Sequence, residues 1–267
     1  MLMLLFKQLK VIEMKIGFIG TGKIGTAIVQ GLLQAKTASE DIYIYDGGHA
    51  SAQKLATRYG LQLVDTYNEF EPCEAVIVAV GGSAIDNIFI KLGQVYHGII
   101  ISTGGGDLKK VKQLISADAT FVKVVPNTPV KIGRGITVIS FLSEEKQEVI
   151  ELTKNIFACM GDVYVVPENK LGIYGTIAGC TPAYVDLLIQ ALSDAAVENG
   201  VKRTDSYEII EKMLIGTAQL ALDTKKLPEE LKNEVTTPGG STIKGVNKLE
   251  ELGFRGALIQ ATNASAN

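Results

Sequence analysis

Lys15-Ile16-Gly17-Phe18-Ile19-Gly20-Thr21-Gly22-Lys23-Ile24-Gly25 is the stretch on which the fold turns. Four residues, Ile16 to Ile19, read as a short buried strand, and a GxGxxG motif follows at once and opens an amphipathic segment from Ile24 to Ala35. A strand, a glycine turn and a helix in that order form an anion cradle. Gly20 permits the tight turn, Gly22 lets a pyrophosphate approach the backbone, and Gly25 allows the helix to pack closely on the strand. Thr21, Lys23 and Ile24 complete the cradle, where the helix N-terminus supplies oriented N–H donors. A bare GxGxxG is weak evidence, so the flanking sequence decides.

Outward from this stretch the chain alternates apolar runs with amphipathic segments. The runs are Ile42 to Tyr45, Ala75 to Val80, Ile99 to Ser102, Phe121 to Val125 and Thr137 to Ser140, with a further strand expected from Asp162 to Val166. Runs rich in Val and Ile with little polar alternation suit strands covered on both faces, hence a mostly parallel, doubly wound sheet of the Rossmann type. Helices are expected at Ala50 to Tyr59 and Ser143 to Ala158. After Pro167 the period changes: Tyr184, Leu187, Leu188, Ala191, Leu192 and Ala195 recur at helical spacing, and no strand-like run follows. The fold class is therefore α/β, an N-terminal Rossmann-like sheet followed by an all-helical C-terminal region. The expected divisions are 1–13 as a non-structural extension with Met14 as the natural start, 14–167 as the dinucleotide-binding domain, and 168–267 as a helical substrate-binding and dimerisation domain. In the second half Thr181 before Pro182 marks a helix start and Gly200 a stop, and Asp205 with Glu208 reads as a capping box.

Composition narrows the function classes. Lys and Arg total 26 against 29 Asp and Glu, a net charge of −3 without a basic stripe, so no nucleic-acid partner is expected. No apolar run reaches the roughly 20 residues of a membrane helix. Three cysteines without a CxxC pair read as reduced thiols of a cytoplasmic protein, and two histidines in no ligand spacing argue against a metal. Wide apolar stripes in the helical half predict packing against another subunit. Asp46 closes the second strand at about the 20-residue spacing at which an acid meets the adenosine ribose. That placement leans toward NADH over NADPH, although Lys54 and Arg58 on the next helix could offset it.

Near the end, Thr236-Thr237-Pro238-Gly239-Gly240-Ser241-Thr242-Ile243-Lys244-Gly245 opens another helix with two glycines and several hydroxyls, a second place for an anion to meet backbone N–H groups. By itself it could be no more than a capped helix after a Pro-Gly turn. Continued through Leu249-Glu250-Glu251-Leu252-Gly253-Phe254-Arg255-Gly256-Ala257, it resembles the signature of pyrroline-5-carboxylate reductases. Asn127-Thr128-Pro129 and Pro182-Ala183-Tyr184 stand in that family's order, and the likeness runs over residues 14 to 262. The resemblance implies NAD(P)H-dependent reduction of 1-pyrroline-5-carboxylate to L-proline, and a helical domain that interleaves with a partner into a dimer, often assembled further into a decamer. It also implies substrate-carboxylate binding at Thr237, Gly239, Gly240, Ser241 and Thr242, and cofactor contacts at Ala79, Val80, Gly81, Asn127 and Pro129. Such a mechanism relies chiefly on positioning, which agrees with the lack of an obvious His or carboxylate dyad.

Three stretches depart from the family pattern. Ala-Val-Lys-Pro becomes Ala79-Val80-Gly81-Gly82, Ala-Ala-Gly becomes Gly104-Gly105-Gly106, and Ser-Gly-Ser-Gly-Pro-Ala-Tyr becomes Ala178-Gly179-Cys180-Thr181-Pro182-Ala183-Tyr184. The Thr that in the family meets the substrate nitrogen falls on Gly175, leaving Thr176 one position away as the positioning candidate. Two alternatives follow: a reductase of another imine or carbonyl, and a catalytically silent dinucleotide-binding protein. Glu144-Glu145, Glu229-Glu230 and Glu250-Glu251 read as solvated helix surface, since adjacent helix residues do not face one another. Cys180 reads as a small buried thiol and Tyr184 as a packed helix residue.

Overall fold

A computed structural model describes residues 14–82 and 85–266; the expected extension at 1–13 lies outside them. The chain divides by its packing into two units, Met1–Gly179 and Cys180–Asn267.

The first unit follows the alternation read from the sequence. In chain order it runs β1 (Ile16–Ile19), α1 (Lys23–Gln34), β2 (Ile42–Tyr45), α2 (Ala50–Tyr59), β3 (Gln62–Val64), β4 (Ala75–Val78), α3 (Ile85–Gly93), β5 (Ile99–Ser102), α4 (Leu108–Leu114), β6 (Thr120–Pro126), β7 (Gly135–Ser140), α5 (Gln147–Ala158), β8 (Gly161–Val165) and α6 (Glu168–Gly179). The eight strands form one sheet in the order β3-β2-β1-β4-β5-β6-β7-β8. The order reverses between β1 and β4, which leaves a crevice at the carboxyl ends of the strands, the usual ligand position in such sheets. Ile16 pairs with Ile42 on one side and Ala75 on the other, and Phe18 with Ile44 and Ile77. Every pairing is parallel except β6 with β7, which run antiparallel. A 3-10 turn over Thr128–Ile132 reverses the chain there.

Both faces are covered. Ile28, Leu32, Leu55, Ile156 and Phe157 of α1, α2 and α5 fill one side. Phe89, Leu92, Leu108 and Val111 of α3 and α4 fill the other with Phe121 and Phe70. Each such side chain contributes about 1.5–3 kcal/mol on leaving water. The Phe89 and Phe121 rings meet edge to face at 4.9 Å.

The packing boundary falls at Gly179, twelve residues beyond the expected division at 167, because α6 lies on the sheet: Leu171 and Ala178 bury with Val138 and Val166. In the second unit α7 (Thr181–Glu198) begins where Thr181-Pro182 predicts, and Gly200 follows its last residues in left-handed backbone. Then come α8 (Arg203–Thr224), α9 (Pro228–Glu234), α10 (Ser241–Glu251) and α11 (Phe254–Ala266). The expected Asp205–Glu208 capping box does not form. Lys202 stands at the N-cap of α8 without a side-chain bond, Asp205 accepts from Thr204, and Glu208 pairs with Lys212 one turn on. Helices α7 and α8 are pinned by a polar clasp instead: buried Ser193 and Ser206 share a 2.6 Å hydrogen bond, and the Arg203 guanidinium reaches Ser193 at 2.9 Å and Asp194 at 2.6 Å. Tyr184 donates to the Ala261 carbonyl at 3.1 Å, so its hydroxyl ties α7 to α11.

Candidate functional site

The three glycines after β1 have three different reasons to be glycine. Gly20 turns at φ +102°, and a Cβ there would stand 2.7 Å from the Ala79 carbonyl oxygen, so the turn is pressed against the end of β4. At Gly25 a Cβ would lie 2.2 Å from the Gly20 oxygen, which lets α1 start directly beneath the strand. Gly22 differs: a Cβ would meet nothing within 4 Å. It is the N-cap of α1, and no side chain caps that helix. The first-turn amides after Gly22 therefore face an open approach, as a pyrophosphate requires. Thr26 Oγ1 donates to the Thr21 carbonyl at 3.0 Å and Thr21 Oγ1 meets Ser51 Oγ at 2.9 Å, which hold the turn to its own helix and to α2. Lys23 and Ile24 form the first turn, Ala79 and Val80 follow β4 beside Gly20, and Gly81 comes next in the chain.

Asp46 follows β2 at the next position along the crevice. Its Oδ2 accepts from Gln53 Nε2 at 3.2 Å, while Oδ1 is enclosed and has no hydrogen-bond partner among the described residues. An enclosed carboxylate oxygen without a donor is what a ribose hydroxyl would complete. These residues fit a dinucleotide.

Asn127 and Pro129 stand just beyond β6. The Asn127 side chain is tied into the fold: Oδ1 accepts from Ile136 N–H at 2.8 Å, and Nδ2 donates to the Ala178 carbonyl at 2.9 Å, bracing α6 against the β6–β7 corner. Pro129 starts the 3-10 turn, its φ matching that geometry.

A chamber of about 300 Å³ opens between α6 and the carboxyl-end halves of β5 and β6. Ser102, Gly104 and Gly105 line one side, Lys123 to Val125 the floor, and Glu168, Leu171, Gly172, Gly175 and Thr176 the helix wall. Thr176, the positioning candidate, is thus beside Gly175 in a cavity wall and buried. Sequence reasoning missed the pair that ends this chamber. Lys123 Nζ lies 3.0 Å from Glu168 Oε1, and the same oxygen accepts the Leu108 N–H at 3.0 Å. The available signal was a lysine inside the apolar run Phe121 to Val125.

In the second unit the Gly239-Gly240 stretch forms a turn closed by Gly240 N–H to the Thr237 carbonyl at 3.0 Å, with Gly239 at φ +72°. Gly240 is the N-cap of α10, again with no side-chain cap, and a Cβ on it would strike Thr237 Oγ1 at 2.6 Å. Thr237, Gly239, Ser241 and Thr242 are exposed, so the N–H groups and hydroxyls here stand open to an anion. Among the described residues no cluster of potential ligands could hold a metal, and no helix is long and apolar enough to cross a membrane.

Residues 168–267 match the family described as pyrroline-5-carboxylate reductase dimerisation, and residues 15–106 the family described as NADP oxidoreductase, coenzyme F420-dependent. The chain is 32% identical over 257 residues to a pyrroline-5-carboxylate reductase of Synechocystis, covering 95% of this chain and 96% of that one. It is 30% identical over 254 residues to the Escherichia coli enzyme of that name, covering 93% and 94%. A crystal structure of Plasmodium falciparum pyrroline carboxylate reductase with NADP bound superposes with a TM-score of 0.86 at 25% identity, over 95% of this chain and 96% of that one.

Proposed function

The chain belongs to the pyrroline-5-carboxylate reductase family, and we propose on that footing that it reduces 1-pyrroline-5-carboxylate to L-proline with a reduced nicotinamide dinucleotide. The observation that carries this reading is the pairing of a dinucleotide cradle at Gly20–Gly25 with a second open, uncapped helix N-terminus at Gly240, each in a stretch that a family description covers. When bound, the reduced nicotinamide supplies a hydride to the imine carbon. The chain's own work is to bind and orient. The α1 amides and Gly22 hold the pyrophosphate. The N–H groups of Ser241 and Thr242, with the hydroxyls of Thr237, Ser241 and Thr242, take the substrate carboxylate, and Gly239 and Gly240 keep that approach clear. A protonated imine is already electrophilic, so fixing two reactants in line supplies most of what the reaction needs.

Asp46 supports NADH as the preferred donor. Its enclosed Oδ1 suits a ribose hydroxyl and would repel a phosphate. The following Gly47 and Gly48, both left-handed, carry no cation. Arg58 stands in the last turn of α2 with its guanidinium 5.2 Å from the Tyr59 ring. Lys54 is the one basic side chain on the intervening turns. The helical unit supports a homodimer, and a decamer built from such dimers is the larger assembly proposed. The buried, unpaired thiols Cys73 and Cys159 suit a reducing, cytoplasmic setting.

Oxidation of NADH and NADPH with 1-pyrroline-5-carboxylate, beside a panel of cyclic imines and 2-keto acids, tests the reading. Turnover with the pyrroline and a lower KM for NADH is the expected result. Turnover only with another substrate would assign a different reductase, and tight NADH binding with no turnover would assign a silent binding protein.

A further inference from the structure

Glu168 gives only half of its carboxylate to the fold. Lys123 Nζ and the Leu108 N–H both reach the same oxygen, Oε1, at 3.0 Å, so one edge of the group is fixed from two directions. The other oxygen, Oε2, takes no hydrogen bond among the described residues, and the side chain stands in the wall of the chamber of about 300 Å³. A carboxylate oriented through one oxygen in this way presents the second as a charged acceptor. Glu168 is also the one anion among the residues that line the chamber. The Ser102 hydroxyl closes its own turn, donating to the Gly105 carbonyl at 2.8 Å and accepting the Gly104 N–H at 3.3 Å. Asp107, the other carboxylate close to Lys123, lies outside the lining and caps α4 by accepting the Lys110 N–H at 2.9 Å, which holds its carboxyl below the usual range.

The chamber and the dinucleotide cradle share a wall. A Cβ on Gly20 would stand 2.6 Å from Val80 Cγ1, and a Cβ on Gly104 would stand 2.7 Å from the Val80 carbonyl oxygen. Val80 therefore separates the turn that takes the pyrophosphate from the glycines that line the chamber. Asp46 fixes the adenosine end on the β2 side of the cradle, so the reacting end lies on the Val80 side, toward the chamber. A protonated cyclic imine brought there carries its positive charge on the ring nitrogen, and Glu168 Oε2 is the acceptor of opposite charge. We propose that Glu168 is a catalytic residue whose Oε2 accepts from the protonated ring nitrogen and holds the imine in its electrophilic form. As the hydride joins the imine carbon, the C=N π pair passes to nitrogen and the proton stays on it, so Glu168 neither gives nor takes a proton. This assignment rests on the reading that the chain reduces a cyclic imine, and it adds a charged group to a site otherwise built of amides and hydroxyls.

Glu168→Gln separates charge from anchorage, because an amide oxygen still accepts from Leu108. The test follows kcat/KM for 1-pyrroline-5-carboxylate and the single-turnover rate of NADH oxidation from about pH 6 to pH 9, with the NADH Kd measured by fluorescence titration. The rate falls at high pH as the bound imine loses its proton, and a neighbouring carboxylate delays that loss. Glu168→Gln should lower kcat/KM by about tenfold or more, move the alkaline limb of the single-turnover rate down by about one pH unit, and leave the NADH Kd within about twofold. Lys123→Met removes the opposing cation and leaves Leu108 on Glu168, so it should move the same limb upward. A Glu168→Gln chain that loses activity with the limb in place would assign Glu168 to folding alone and overturn the proposal, as would a kcat/KM within about threefold of wild type. If Glu168→Gln fails to fold, Lys123→Met decides, and a limb that stays or falls overturns the proposal. Wild-type turnover of another cyclic imine alone would sink the assigned substrate, and the two limbs measured on that imine would then decide the role of Glu168; turnover of no imine would sink both.

Discussion

At the scale of single residues, Gly22 and Gly25 separate binding from folding. Gly22→Ala places a methyl in open space where the anion approaches, so it should weaken NADH binding by about tenfold or more, with a melting temperature close to wild type. Gly25→Ala drives a Cβ into the Gly20 carbonyl and should destabilise the fold by about 2 kcal/mol or more. Fluorescence titration and thermal melts distinguish the two, and equal behaviour would refute the assignment of Gly22 to the anion. The buried thiols make a second prediction. Burial pushes Cys73 and Cys159 up from 9.0 to about 12, and it also raises Tyr96, whose hydroxyl donates to the Cys73 carbonyl at 2.8 Å. Between about pH 9 and 12 the folded chain holds protons that the unfolded chain releases, so stability is full below pH 9 and falls as pH rises through that window. Denaturant midpoints measured at pH 8 and pH 10 should drop accordingly, and Cys159→Ala should flatten the slope; a midpoint rising with pH would contradict the burial argument.

At the scale of elements, α6 links the sheet to the chamber, and Glu168 is its anchor. Glu168→Ala leaves Lys123 partly buried without its partner and the Leu108 N–H without its acceptor. Because the pair is partly exposed, the cost should be about 1 kcal/mol, or roughly 2–4 °C in melting temperature, with Glu168→Gln recovering part of it by accepting from Leu108. No change in either variant would mean that the pair does not hold the helix. Elements also show what the sequence could and could not reveal. β1, β2 and β5 were legible residue for residue because each is a short, Ile-rich apolar run bounded by turns. β3, Gln62-Leu63-Val64, carries no such signal: it is a three-residue edge strand with two exposed side chains. The antiparallel sense of β7 was hidden because apolar runs do not encode direction. The attachment of α6 to the sheet was hidden because glycines weaken its apolar stripe. The two helix starts at Gly22 and Gly240 were legible, since glycine placement is local chemistry. The Lys123–Glu168 pair was not, because it joins residues brought together by the sheet and helix rather than by the sequence.

At the scale of the whole molecule, the second unit has almost no interior of its own. Among its described residues Ser193, Ser206 and Ile210 are the buried ones, two of them serines of the α7–α8 clasp. Leu187, Ile209, Ile215 and Leu222 are each more than 60% exposed along the two longest helices, and Leu252 and Ile259 match them nearer the end. Isolated helices gain most of their stability by burying an apolar face, and exposed rows of this extent mark a surface that another subunit covers. Stability should then depend on chain concentration, because association favours the folded state by mass action. Melting temperature should rise over a hundredfold increase in concentration, and sedimentation at micromolar concentration should give a mass of at least two chains. Ile215→Asp, a charge placed on an exposed row of α8, should shift the sedimenting species toward the single chain and lower the melting temperature, while leaving the Rossmann unit able to bind NADH. A wild-type chain sedimenting as a monomer at that concentration would show that the exposed rows do not seek a second copy.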